Sequence, residues 1–256
     1  MIRETDRMSL RFHEIAESRH RILNPLTENK LRQLGEICRI TPATRHLDLA
    51  CGKGEMLTLW SAQYGLQGVG VDISKVFLEA AQARADAQGV ADRVRFVEAD
   101  AATYVDEPQS YDIVSCIGAT WIGDGLAGTL EIMRRPLRPD GIALVGECYW
   151  INPSPPEALT SLSVAENTFT SLAGTAARIE KAGFELLEMI LASPDDWDRY
   201  VASQWWTLSD WLRDNPSDPE AAGIRTFLSR SRTSHLEYGR QYLGWGIFVV
   251  RPANDH

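Results

Sequence analysis

The residues best suited to chemistry in this 256-residue chain are acids placed where apolar runs end. Asp48 lies in "HLDL" and is followed at once by "ACGKGE", where Gly52 and Gly54 let the chain turn before helix-forming residues resume. Asp72 closes "GVGVD" and Asp100 closes "VRFVEAD". In a parallel sheet covered by helices, the turn after the first strand is the usual ligand site, because helix N–H groups and strand ends converge there. A dinucleotide would require G-x-G-x-x-G, and the third glycine's position is Leu57. A negative Asp48 also sits poorly beside an anionic pyrophosphate. It suits a ligand whose near end is cationic.

S-adenosylmethionine, with an ammonium and a sulfonium at one end, meets that demand. Ala50, Cys51, Gly52 and Gly54 form the turn that would hold it. Asp72, followed by Ile73, is placed to accept both ribose hydroxyls. Asp100 is placed to accept the adenine amino group while the Ala101 N–H reaches a ring nitrogen, and Cys116 and Ile117 would flank the methionyl part. The product would be S-adenosylhomocysteine, and no metal is required: His13, His46, His235 and His256 share no ligand spacing. Cys51 and Cys116 invite a thiolate-nucleophile reading, but a buried cysteine usually behaves as a small hydrophobe, and no proline–cysteine pair follows the fourth strand. A nicotinamide oxidoreductase is disfavoured by Leu57 and by the paired Asp72 and Asp100.

The elements that must position these residues follow from periodicity and punctuation. Residues 10–40 read as one or two helices broken near Asn24-Pro25. Then strand and helix signals alternate: "RHLDLA", helix "EMLTLWSAQY", "GVGVDI", helix "KVFLEAAQARADAQ" capped by Ser74, "VRFVEAD", "YDIVSCI", helix "LAGTLEIMRRPL", a turn at "LRPDG", and "IALVGECYW". A helix "LAGTAARIEKAG" and a sixth strand "FELLEMILA" come next. Two helices over roughly 194–214 and 219–242 follow, each opened by a cap, a proline and acids, before "GWGIFVV" closes as a seventh strand. The expected organisation is one domain over 1–256: an N-terminal helical segment (1–40), a cofactor-binding core (41–193), a helical cap (194–242), and a closing strand and tail (243–256).

With "LDLACGKGE", "GVGVDIS", "FVEADA", "YDIVSCIGATW" and "LRPDGIALVGE" in this order, the chain resembles the class I S-adenosylmethionine-dependent methyltransferases over about residues 40–150 plus the closing strands. The resemblance implies a doubly wound, Rossmann-like α/β fold. Its seven-stranded, mostly parallel sheet would run 3-2-1-4-5-7-6 with the last strand antiparallel and a helical insertion between strands six and seven. Ala50 replaces the first glycine of that superfamily's acid-x-G-x-G-x-G motif, a change expected to tighten packing slightly. "HRILNP", "GATWI", "GECYW" and "WDRY" are similar to an uncharacterised bacterial, small-molecule-methyltransferase-like branch.

Two residues are candidates for catalysis: Glu147, at the end of the fifth strand, as a general base or an orienter of an amine, and His20, in a segment that in the resembled family folds over the cofactor. Their bland alternatives are a solvated carboxylate or a helix N-cap partner for Glu147, and a surface histidine on an exposed helix for His20. Trp121, Tyr149, Trp150, Tyr200 and Trp206 are the candidate acceptor contacts. Trp197, Tyr200, Val201, Gln204, Trp205, Leu208, Trp211 and Leu212 form a stripe at helical period. Trp206 lies roughly 100° off it, so it faces solvent, an interface or the substrate pocket. The expected function is in-line methyl transfer to a small molecule. Cyclisation or cleavage of the same cofactor, and a non-catalytic cofactor-binding protein, are the alternatives.

The bulk numbers bound the partners. Apolar residues make 44% and charged residues 24% of the chain, as in ordinary globular proteins. The net charge of −9 offers no general attraction to phosphate backbones or anionic membranes. No apolar run approaches the roughly 20 residues needed to cross a bilayer, and the first residues are too polar for a secretory signal. Cys38, Cys51, Cys116 and Cys148 form no C-x-x-C pair, which fits reduced thiols in the cytoplasm. The expected partner is a small-molecule acceptor, without nucleic acid or membrane, for a monomer or homodimer.

Overall fold

A computed structural model describes residues 4–253, with side chains from Leu10 onward, so His256 lies outside the described residues. Seven strands form one sheet: β1 (Arg45–Leu49), β2 (Gln67–Asp72), β3 (Val94–Glu98), β4 (Tyr111–Ile117), β5 (Leu137–Trp150), β6 (Phe184–Leu191) and β7 (Leu243–Pro252). Their order is β3-β2-β1-β4-β5-β7-β6. β1 runs parallel to β2 and β4, β4 parallel to β5, and β7 antiparallel to both β5 and β6. The expected sheet order and the reversed last strand are both present.

Helices α1 (Glu4–Ala16) and α2 (Glu28–Ile37) precede β1, and α3 (Glu55–Tyr64), α4 (Lys75–Ala87) and α5 (Leu126–Arg134) follow β1, β2 and β4. After β5 come α6 (Pro156–Leu162) and α7 (Leu172–Lys181), and between β6 and β7 lie α8 (Pro194–Asp214) and α9 (Ala221–Ser234). The caps are those expected: Ser74 accepts from the Phe77 N–H, and Ser193 with Asp196 closes a reciprocal capping box at α8. α9 starts two residues beyond Pro219, because the Asp218 carboxylate holds the Glu220 N–H in a turn.

"LRPDG", expected as a turn, is absorbed into β5 as an irregularity. Leu137 pairs with Tyr111 and Ile142 with Ile113, so residues 138–141 bulge out of register, tied by an ion pair from Arg138 to Asp112. Apolar layers cover both sheet faces. One contains Leu47, Leu49, Leu130, Met133 and Phe248; the other contains Leu34, Trp60, Leu144, Trp245 and Ile247. Much of the α8 stripe is spent on packing: Trp205, Leu208, Trp211 and Leu212 meet Ile224 and Leu228 of α9 and Phe12, Ile15 and Ala16 of α1. No helix among the described residues is long and apolar enough to cross a membrane.

Candidate cofactor and acceptor site

The turn after β1 is built by left-handed backbone. Ala50, Gly52 and Gly54 have φ of 57°, 54° and 63°. A Cβ on Gly54 would lie 2.5 Å from the Phe96 ring, and one on Gly52 would lie 2.7 Å from Leu23. The expectation for Ala50 needs correction in its physics. What matters is less the added methyl's packing than its φ, in a region that disfavours any residue with a Cβ. The sequence shows the substitution but not the backbone angle.

Asp48 is buried and accepts from the Ser115 hydroxyl at 2.6 Å. Burial pushes its carboxyl up to about 7; the Ser115 hydrogen bond opposes this and the negative Asp72 adds to it. Ser115 also meets His46 Nε2 at 2.7 Å. Ser115 gives its proton to Asp48, so His46 must donate, which leaves Nδ1 as a buried acceptor without a protein partner. Burial holds this imidazole neutral, with its pKa near 3. Neither His46 nor Ser115 was singled out from sequence. The available signal was the two-residue spacing of His46 and Asp48, which puts both on one strand face.

Asp72 accepts the Gly52 N–H and the Ser74 N–H, each at 2.8 Å, on separate oxygens. Burial raises its pKa against those two donors. A carboxylate offers about four lone-pair directions, so two remain for a diol. Asp100 is exposed and accepts from Ala102 N at 2.9 Å, beside the buried Ala101. Ile73 is exposed next to Asp72. Cys116 is buried opposite Leu49, and burial raises the thiols of both Cys51 and Cys116 far from thiolate character. Buried acids at the cation end, an oriented carboxylate at the end of β2 and a glycine-lined turn fit S-adenosylmethionine.

The segment between α1 and α2 lies across this turn. Leu23 sits over Gly52, and the Asn24 side chain lies against Gly118. In the orientation that satisfies its neighbours, the Asn24 amide donates to the carbonyls of Leu23 and Ile117, each at 3.2 Å. Lys53, buried within the turn, donates to the carbonyls of Glu17, Ser18 and His20 at 2.7, 3.0 and 2.8 Å. It thereby caps the end of α1. Sequence reasoning passed over Lys53 because a lysine in a glycine turn reads as solvated.

His20 belongs to the same segment and is not the exposed helical histidine of the bland reading. Its Nδ1 lies 2.5 Å from Glu17, its Nε2 meets Ser203, and its ring stacks on Tyr200 at 5.1 Å. Glu17 is fully buried and also accepts from Tyr200 and Gln204, each at 2.6 Å. Burial raises its pKa, but the contacts with His20 and then Tyr200 outweigh this and lower it. Tyr200 is thus tied into the strap between α1 and α8.

Glu147 is buried near the end of β5. Its carboxylate accepts the Cys148 N–H at 3.0 Å, and burial pushes its pKa up to about 7, against the Cys148 N–H and the nearby Thr120 hydroxyl, which favour the ionised form. The solvated-carboxylate alternative is therefore wrong. Tyr149 and Trp150 are buried just beyond it. Trp121, in a short 3-10 turn after β4, and Trp206, on α8, are 75% and 69% exposed.

A doubly wound sheet places its ligands outside the carboxyl ends of its strands, and here the buried Asp48 and Asp72 stand at that place. Comparison with known proteins makes this specific. Residues 47–141 match the family described as "Methyltransferase domain". The chain is 43% identical to an S-adenosylmethionine-dependent methyltransferase from Geobacter sulfurreducens, solved in complex with S-adenosyl-L-homocysteine. That match has a TM-score of 0.91 over 94% of this chain and 98% of the other. A Thiobacillus denitrificans methyltransferase, also with S-adenosyl-L-homocysteine, matches at 40% identity and TM-score 0.90 over 94% and 98%. The protein YjhP of Escherichia coli is 41% identical over 94% of this chain and 97% of its own length. The chain belongs to the S-adenosylmethionine-dependent methyltransferases.

Proposed function

We propose that this enzyme moves the methyl group of S-adenosylmethionine in line onto a small-molecule acceptor held beyond the ends of β4 and β5. The observation that carries the reading is Glu147, a buried carboxyl whose pKa is raised to about 7, holding the Cys148 N–H, next to the buried Tyr149 and Trp150. A sulfonium methyl is already activated, so the protein must align the acceptor, exclude water and accept a proton where the acceptor carries one. Glu147 is the proposed orienter or proton acceptor. His20 is the second candidate, and to act it must exchange Ser203 for the acceptor.

Asp48 is assigned to the cationic end of the cofactor, Asp72 to the ribose, Asp100 and Ala101 to the adenine, and Ile73, Cys116 and Ile117 to the walls. Segment 20–25, held by Lys53, would close over the methionyl part. The acidic chain and the buried aromatic residues at the end of β5 support a small acceptor with an apolar or aromatic body over a nucleic acid. The test incubates pure enzyme and methyl-labelled cofactor with fractionated lysate. A small molecule heavier by one methylene supports the proposal, and label found only in protein or RNA overturns the acceptor class. Cofactor consumed without label transfer favours cyclisation or cleavage.

A further inference from the structure

Beyond the end of β5 lies a cavity of about 470 Å³, within the range of small-molecule sites. Its walls include Tyr149, Trp150, Trp197 and Trp245, and its polar end holds Asp198, His235 and Arg240. Tyr149 and Trp150 follow Glu147 by two and three residues on one strand. At roughly 3.3 Å per residue the wall begins about 7–10 Å from that carboxylate's backbone. The reacting end of a bound molecule therefore falls within reach of the proposed methyl-transfer centre.

The polar end is built by an irregularity. His235–Gly239 forms a π-turn in which the Arg240 N–H reaches the His235 carbonyl. Residues five apart on an α-helix point about 140° away from each other. In the wider π-turn, His235 Nε2 and Arg240 Nε instead converge on one carboxylate, Asp198, at 2.8 Å each. Such turns recur at functional sites. Asp198 accepts from His235 and is charge-paired with Arg240, so a cationic ligand finds no carboxylate without an ionic partner among the cavity's lining residues. Arg240 uses only Nε on the protein, and its two terminal nitrogens donate to no described residue. Four aromatic side chains and a guanidinium with its outer edge free select a flat molecule bearing an anion.

We propose that this cavity binds a planar aromatic carboxylate, its ring among Tyr149, Trp150, Trp197 and Trp245 and its carboxylate on Arg240. Naming that ligand as the methyl acceptor rests on the proposed function; the pocket's selectivity does not. The experiment titrates the full-length protein by calorimetry with 2-naphthoate, 2-naphthamide and 2-naphthylmethylammonium, with and without S-adenosylhomocysteine. The acid should bind about tenfold more tightly than the amide, as a charge-assisted contact requires. Arg240→Gln should bring acid and amide to parity, and Arg240→Lys should restore part of the gap. Trp197→Ala should weaken both, while Arg230→Gln, outside the cavity, should change neither. Equal binding of acid and amide by the wild type, tighter binding of the ammonium, or no binding at millimolar concentration would overturn the proposal. Binding of S-adenosylhomocysteine with no binding of naphthoate refutes this pocket alone, and failure of S-adenosylhomocysteine to bind while naphthoate still binds refutes the assigned cofactor contacts alone.

Discussion

With Asp48 assigned to the cationic end of the cofactor, cofactor binding is expected to be proton-linked, and the linkage has a calculable size. Its carboxyl in the ligand-free protein stands near pH 7, mainly because it is buried. At pH 6 about one molecule in eleven is ionised there, and at pH 8 about ten in eleven. A cofactor that presents a sulfonium and an ammonium binds the ionised form, so affinity should rise about tenfold from pH 6 to pH 8, roughly 1.4 kcal/mol. Stability moves the opposite way in the free protein. A folded pKa raised above the ordinary 3.8 contributes stability that is complete below that value and lost as pH rises through 7. The thermal shift produced by the cofactor should therefore grow over the interval in which the free protein weakens. Calorimetry in buffers of different ionisation enthalpy counts the proton released, close to one per cofactor at pH 6 and near zero at pH 8. Asp48→Asn keeps the shape and removes the titration, and the cofactor's own ammonium contributes equally to both proteins. Identical pH slopes in wild type and Asp48→Asn would refute the assignment of Asp48 to the cationic end.

Asp72→Ala and Asp100→Ala should each lower cofactor affinity by about 1–3 kcal/mol in calorimetry, with Asp72 the more damaging because it also holds the Gly52 and Ser74 N–H groups. Ala50→Gly relieves a positive φ and should raise stability by about 0.5–1 kcal/mol in urea titration, after the unfolded-state entropy of glycine is subtracted. Lys53→Met leaves three carbonyls at the end of α1 without their cation, and hydrogen exchange in residues 17–27 should accelerate while the strands keep their protection. Glu147→Gln should remove a kcat inflection near pH 7 if the acceptor gives up a proton, with cofactor affinity unchanged. Helices α8 and α9 should gain exchange protection when S-adenosylhomocysteine and acceptor bind together; identical protection in the free and bound protein would leave no lid.

The parts of this molecule that were legible in advance are those set by local rules. Alternating apolar runs and glycine turns gave the strands and helices in order, and Ser74 and the Ser193-Pro194-Asp195-Asp196 start marked real caps. The sheet order came with the family resemblance, because pairing between distant strands leaves no trace in spacing alone. What stayed hidden was non-local or angular. Ala50 shows its identity in the sequence but not its φ. Glu17 and Tyr200 meet across 183 positions, and Lys53 reaches back 33–36 residues to find its carbonyls. The short α6 was missed because the prolines around it read as loop, although Pro156 occupies the first turn, where a missing N–H costs nothing. The π-turn at His235 has no sequence signature.

These hidden contacts have one mechanical consequence. The cofactor turn grips the end of α1 through Lys53, the segment after α1 lies on Gly52 and Gly118, and Glu17 ties that segment to α8 through Tyr200 and Gln204. α8 in turn supplies Trp197 and Asp198 to the cavity beyond β5. Turn, strap and cap therefore share one chain of buried polar contacts, and their partners are specific atoms instead of a sliding apolar surface. A buried polar link of this kind is costly to leave half made. A cofactor that enters under Leu23 and Asn24 must lift the strap, and one that is bound must be covered by it. Under the proposed assignments, reseating the strap re-forms the Glu17 contacts to α8 and so sets the wall against which the acceptor packs. Under these assignments the cofactor should bind before the acceptor, and S-adenosylhomocysteine should leave last; product inhibition by S-adenosylhomocysteine that is competitive against S-adenosylmethionine at every acceptor concentration would bear out that order, and non-competitive inhibition would refute it.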